Sequence, residues 1–124
     1  AFSQTNTFPG TGNVGIGTSN PQSKLVVAGT ITAQRMKVTI TGWPDYVFHE
    51  SYSLPSLQQL EEYVNRNKHL PGICSAKEIE KDGLDLGEVN KQLLQKIEEL
   101  TLYIIQQQKE ITDLNRRLQK VELQ

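Results

Sequence analysis

Several places along the chain gather residue types that could do chemistry. Ser75-Ala76-Lys77 sets a hydroxyl two residues from an amine, the parts of a serine–lysine nucleophile. His49 and His69, with Asp45 and Glu50, are types that bind metals, but they show neither an i, i+4 pair nor an H-E-x-x-H spacing. Gly10-Thr11-Gly12-Asn13-Val14-Gly15 fits G-x-G-x-x-G by letter, without the preceding strand and following helix that a phosphate cradle needs. Trp43, Tyr46 and Tyr52, with His49, offer flat aromatic and polar surface of the kind that grips a sugar or a protein receptor. The plainer reading in each case is structural. Ser75 lies three residues before Glu78, as a helix N-cap does, the histidines read as surface or turn residues, and the aromatics read as a small core. Cys74 is the single cysteine, which excludes an intrachain disulfide and reads as a buried, inert thiol. No enzymatic activity, metal or cofactor is expected.

The elements that must hold these residues fall into three segments. Residues 1–42 are Gly- and Thr-rich, with Val14 and Ile16 alternating with glycines. Leu25-Val26-Val27, Thr30-Ile31-Thr32 and Lys37 to Thr41 read as further short strands. They are too few and too short for a free-standing sheet, so intertwining with other copies is expected. Residues 43–85 form a compact middle piece nucleated by Trp43, Tyr46 and Phe48. Ser56 with Gln59 caps a helix over about Pro55 to Asn67, ended by Leu70-Pro71-Gly72. Ser75 with Glu78 caps a brief helix stopped at Asp82-Gly83, and Asp85 with Glu88 opens the last one.

Residues 86–124 carry the strongest pattern. Asn90, Ile97, Ile104, Ile111 and Leu118 fall at heptad position a, and Leu86, Leu93, Leu100, Gln107, Leu114 and Val121 at d. About five heptads of this kind specify a coiled coil. Left in water, each large apolar side chain would forgo roughly 1.5–3 kcal/mol, so the helix must bury its seam against copies of itself. Asn90 and Gln107 are polar and cost stability, which is how register and strand number are commonly fixed. Gln107 amides meeting on an axis could bind each other, water or an anion. Ile at a with Leu at d favours two strands; the β segments favour three. Leu94, Leu102, Tyr103 and Ile105 make a second apolar stripe in the first half of the helix, expected to receive the middle piece. Beyond Ile105 the outer face turns polar.

With 124 residues the chain is one small domain plus an extension, and oligomerisation would supply the burial that its short core lacks. Net charge is −1, distributed as +3 over residues 1–42, −4 over 43–85 and zero beyond, which argues against nucleic acid as a main partner. No apolar run reaches the ~18 residues of a membrane span. Ala1-Phe2-Ser3-Gln4 reads as the end of a cleaved leader, giving the expectation of a secreted or cell-surface protein whose mature N-terminus lies at or near Ala1.

Asn13-Val14-Gly15-Ile16-Gly17-Thr18, Pro21 and Lys24 to Ile31 resemble a repeat of phage tail fibres and bacterial surface fibres. Thr41-Gly42-Trp43-Pro44-Asp45-Tyr46-Val47-Phe48, Leu54-Pro55-Ser56-Leu57, His69-Leu70-Pro71-Gly72-Ile73, Ser75-Ala76-Lys77-Glu78, Leu86 to Asn90 and Leu93 to Tyr103 are similar to a C-terminal, tail-fibre-like module of secreted Bacteroidota proteins. That resemblance implies secretion and a trimeric fibre end. The terminal helix is also similar to the self-cleaving intramolecular chaperones that end some phage tailspikes, although no convincing serine–lysine cleavage site is present.

The combined expectation is an α+β homotrimer: an intertwined N-terminal β shaft (1–42), a small α+β collar (43–85) and a parallel coiled coil (86–124). The expected function is to trimerise and cap a surface fibre. The alternatives are a dimer, a glycan- or protein-receptor-binding tip built on Trp43, Tyr46, His49 and Tyr52, and a self-cleaving chaperone.

Overall fold

The computed structural model describes Phe8 and residues 10–124, so the leader-like Ala1–Gln4 lies outside the described residues. The chain divides into two compact units, Ala1–Lys37 and Val38–Gln124.

In the first unit, β1 (Val14–Ile16) and β2 (Leu25–Val27) pair in parallel, with Val14 opposite Leu25 and Ile16 opposite Val27. Only eight residues connect them. The connection is held short by side chains that reach back to main chain: Asn13 Nδ2 donates to the Pro21 carbonyl (3.0 Å), and Lys24 Nζ to the Gly12 carbonyl (3.1 Å). Gly17, at φ +73°, makes the turn out of β1 in a conformation that glycine adopts without penalty. The strands expected at Thr30–Thr32 and Lys37–Thr41 are absent. A strand needs a neighbour for its backbone hydrogen bonds, and neither segment finds one among the described residues.

The second unit is built on helices whose ends follow the capping chemistry. In α1 (Leu57–Asn67), the Ser56 hydroxyl accepts from the Gln59 amide and the Gln59 side chain accepts from the Ser56 amide. Its start is Leu57 because Ser56 is the cap. It ends before Leu70-Pro71-Gly72, with Lys68 in the left-handed region and its amide on the Val64 carbonyl. The same reciprocal pair, Ser75 with Glu78, opens α2 (Ala76–Asp82). Gly83, at φ 80° and ψ −176°, stops it in a conformation open essentially to glycine alone. Asp85 caps α3 (Leu86–Glu122, 37 residues) through the Glu88 amide, while the Glu88 carboxylate pairs instead with Lys91 at 2.9 Å.

The expected aromatic nucleus is inverted. Asp45–Phe48 forms a 3₁₀ turn against α3, and its threefold period puts Pro44 and Val47 on the buried side. Trp43, Tyr46 and Phe48 stay exposed. Cys74 is exposed rather than buried, because it lies in the turn that leads into the Ser75 cap.

Val38 and Ile40 lie against the first turn of α3 instead of in a strand. A Cβ added at Gly87 would stand 2.8 Å from Val38 Cγ1 and 3.2 Å from Ile40 Cγ2. Both neighbours are β-branched and stiff, so the added methyl cannot be accommodated cheaply. Gly87→Ala is therefore expected to destabilise by about 1 kcal/mol net, overpacking outweighing the gain in helix propensity. Thermal melting checks this: a higher melting temperature would show that the 38–40 segment yields freely.

Candidate functional site

α3 carries two different faces. On one, the nine apolar seam residues Leu86, Leu93, Ile97, Leu100, Ile104, Ile111, Leu114, Leu118 and Val121 are each between 47 and 67% exposed. Asn90 and Gln107, on the same face, are exposed too. A continuous apolar stripe of this length is far more than scattered surface hydrophobics.

The other face receives the middle piece through its first half. Tyr103 is 6% exposed, and its hydroxyl donates to the Pro55 carbonyl at 2.7 Å. Leu94 and Leu102 are half-buried, whereas Ile105 remains exposed. Apart from half-buried Asp113, every residue from Ile104 onward is exposed.

Between these apolar contacts lies a polar clasp. Tyr52 Oη donates to Glu99 Oε1 at 2.6 Å, and Tyr46 Oη donates to Gln95 Oε1 at 3.0 Å. Gln95 Nε2 donates to both Tyr52 Oη (3.2 Å) and Glu99 Oε1 (3.1 Å), while Lys96 Nζ closes on Glu99 Oε2 at 2.8 Å. The Tyr46 and Tyr52 rings lie 5.9 Å apart, tilted by 47°. Both hydroxyls are thus committed to α3. Of the candidate ligand-binding residues, Trp43, Tyr46 and His49 are exposed and Tyr52 is half-buried. The Tyr46 and Tyr52 hydroxyls are held by Gln95 and Glu99, two residues that the heptad pattern did not single out.

Glu99 and Glu98 are both buried and titrate in opposite senses. Burial pushes Glu99 up, but hydrogen bonds from Lys96, Tyr52 and Gln95 together with the Lys96 charge outweigh it and hold its carboxyl below the ordinary value. Glu98 is pushed up, by burial and then by the Asp45 charge, and its Oε2 has no hydrogen-bond partner. A carboxyl whose folded value is lowered contributes stability above the ordinary glutamate range and loses it as pH falls. One whose value is raised contributes below that range and loses it as pH rises. Acid is therefore expected to loosen the clasp as Glu99 protonates, and Glu99→Gln is expected to flatten the acid limb of a melting-temperature profile below about pH 5. An unchanged acid limb in that variant would remove Glu99 from the account.

Ser75 Oγ donates to Glu78 Oε2 at 2.7 Å, so the hydroxyl serves the helix cap. His69 stacks edge-on against Tyr63, with ring centroids 5.8 Å apart. Among the described residues no three His, Cys, Asp or Glu side chains gather as a metal site would require, and no helix is long and apolar enough to cross a membrane. Comparison with family models, curated proteins and solved structures finds no match to this chain.

Proposed function

We propose that this chain is a self-associating structural module: a parallel homotrimer that ends and registers a secreted surface fibre. The observation that carries the reading is the bare seam of α3, exposed along its whole length while the middle piece packs on the opposite face. The energetics point the same way. Among the described residues only Pro44, Val47 and Tyr103 are buried apolar side chains.

A parallel, in-register arrangement stacks Asn90 on Asn90 and Gln107 on Gln107, so no polar seam residue faces an apolar one. It also sets Arg117, at position g, beside Glu122, at position e, of the next copy, and creates no like-charge pair between g and e positions. Three chains, rather than two, would supply neighbours for the short β segments. In the mechanism proposed, the seam nucleates association and fixes register, after which the β segments close around the same axis.

Light scattering on the purified chain tests this, with a mass of three chains expected. Two chains would mean that the Ile/Leu seam alone governs assembly, and one would overturn the reading. A second reading, capture of a glycan or protein receptor, draws on the exposure of Trp43, Tyr46 and Phe48. Quenching of Trp43 fluorescence by added glycans would favour it.

A further inference from the structure

Among the described residues Glu98 is the one carboxylate that is both buried and short of a partner. It is 8% exposed, and its Oε2 is shielded from water with no hydrogen-bond partner. Glu99, beside it, is equally buried, but its two oxygens take Tyr52, Gln95 and Lys96. An orphan acceptor is costly when neutral and far more so when charged. The element packed on α3 here is the 3₁₀ turn Asp45–Phe48. Tyr46 of that turn bonds Gln95, and Glu98 lies three positions further along the same face of the helix. Val47, next to Tyr46, is buried.

No cation compensates Glu98. Along α3, Lys91 pairs with Glu88 at 2.9 Å and Lys96 with Glu99 at 2.8 Å. The Tyr46 and Tyr52 hydroxyls are committed to Gln95 and Glu99, and His49 and Glu50, which follow the turn, are exposed. The turn itself contributes Asp45, a second acid, and after burial its charge is what raises the Glu98 carboxyl further. Two carboxylates are too few ligands for a divalent ion, and no third His, Cys, Asp or Glu joins them among the described residues. What removes the charge is a proton.

We propose that Glu98 is a proton-operated latch between α3 and the middle piece: protonated, it lies neutral against the Asp45–Phe48 turn, and on ionising it loosens that turn from the helix. The latch works in the sense opposite to the clasp. A carboxyl whose folded value is raised stabilises the docked form below the ordinary glutamate range, and that contribution is lost as pH rises through the raised value. Glu99, whose value is lowered, keeps its contribution there and loses it only in acid. Docking of residues 43–85 is therefore limited on both sides, by Glu99 in acid and by Glu98 as pH rises. Glu98 and Glu99 occupy heptad positions b and c, outside the seam, so the latch does not depend on the number of chains.

Hydrogen exchange on the full chain tests this, read as protection of the Val47 amide, which donates to the Pro44 carbonyl at 2.9 Å. Rates are corrected for the intrinsic pH dependence of exchange. Between about pH 5 and 8, where Glu99 stays ionised, protection in the natural chain is expected to fall by about threefold or more. Glu98→Gln, close in shape to the protonated acid, should stay flat over that range and be the better protected at its upper end. Asp45→Asn, which leaves α3 untouched, should reduce the fall without abolishing it. A flat profile in the natural chain, or an equal fall in Glu98→Gln, would overturn the latch. So would recovery of protection on adding calcium at the upper end, which would place a cation rather than a proton between the two carboxylates. Light scattering should give one mass across the range; a mass that fell together with the protection would move the response to the seam and overturn the latch.

Discussion

Ile97→Asp is expected to reduce the particle to single chains and to melt most of the distal half of α3. Ile97 occupies an a position near the middle of the seam, between Leu93 and Leu100, and is 58% exposed in the single chain. Association would bury it. Aspartate there would forgo the roughly 1.5–3 kcal/mol gained by burying the side chain, once per copy. It would also place several like charges on one axis, at an effective cost of several kcal/mol for each ion desolvated without a partner. The two effects act together on every copy, so association should fail outright. Apart from half-buried Asp113, the described residues of the second half of α3 are exposed, and isolated helices of that length are marginal in water. Light scattering should report one chain, and the far-ultraviolet helical signal should fall by roughly a third to a half. Ile97→Leu, which conserves volume, should retain the assembly. If Ile97→Asp kept the mass of the natural chain, the seam would not be the interface.

Tyr103→Ala should act on the other face, releasing the middle piece while leaving the assembly in place. Tyr103 is the most buried apolar side chain of α3, and its hydroxyl holds the Pro55 carbonyl. Truncating a buried aromatic costs about 3–5 kcal/mol, and the orphaned Pro55 carbonyl adds about 1 kcal/mol if water cannot reach it. With so few other buried contacts holding residues 43–85, that loss should expose them to protease and shift Trp43 emission. Tyr103→Phe should lose only the hydrogen bond and remain largely protected. Unchanged protection in Tyr103→Ala would place the attachment elsewhere, in the polar clasp of Tyr46, Tyr52, Gln95 and Glu99.

What could be read from the residues alone was the part that is local. The caps at Ser56, Ser75 and Asp85 each depend on a residue three positions away, so the pattern carries its own geometry. The seam of α3 is legible for the same reason, because a helix converts spacing directly into a face. The clasp was not legible. Tyr52 meets Glu99 across 47 positions, and nothing in either neighbourhood announces the other. The orientation of Trp43 to Phe48 failed for a subtler cause: large aromatics are expected inside, but a period of three hands the inner side to Pro44 and Val47. The expected strands at 30–32 and 37–41 failed because strand formation depends on a neighbour. In the second of these, Val38 and Ile40 rest on Gly87 instead.

The division of α3 into a face for its own chain and a face for something else separates two processes by molecularity. Docking of the middle piece is first order, and dilution cannot reverse it. In the proposed assembly, covering the seam depends on how many molecules are present. On dilution, subunits should part with Tyr103 still shielded, and a released subunit should keep its docked middle piece. Such a subunit could rejoin a particle without rebuilding its middle piece, so exchange between particles would involve only unzipping of the seam and re-forming of distal α3.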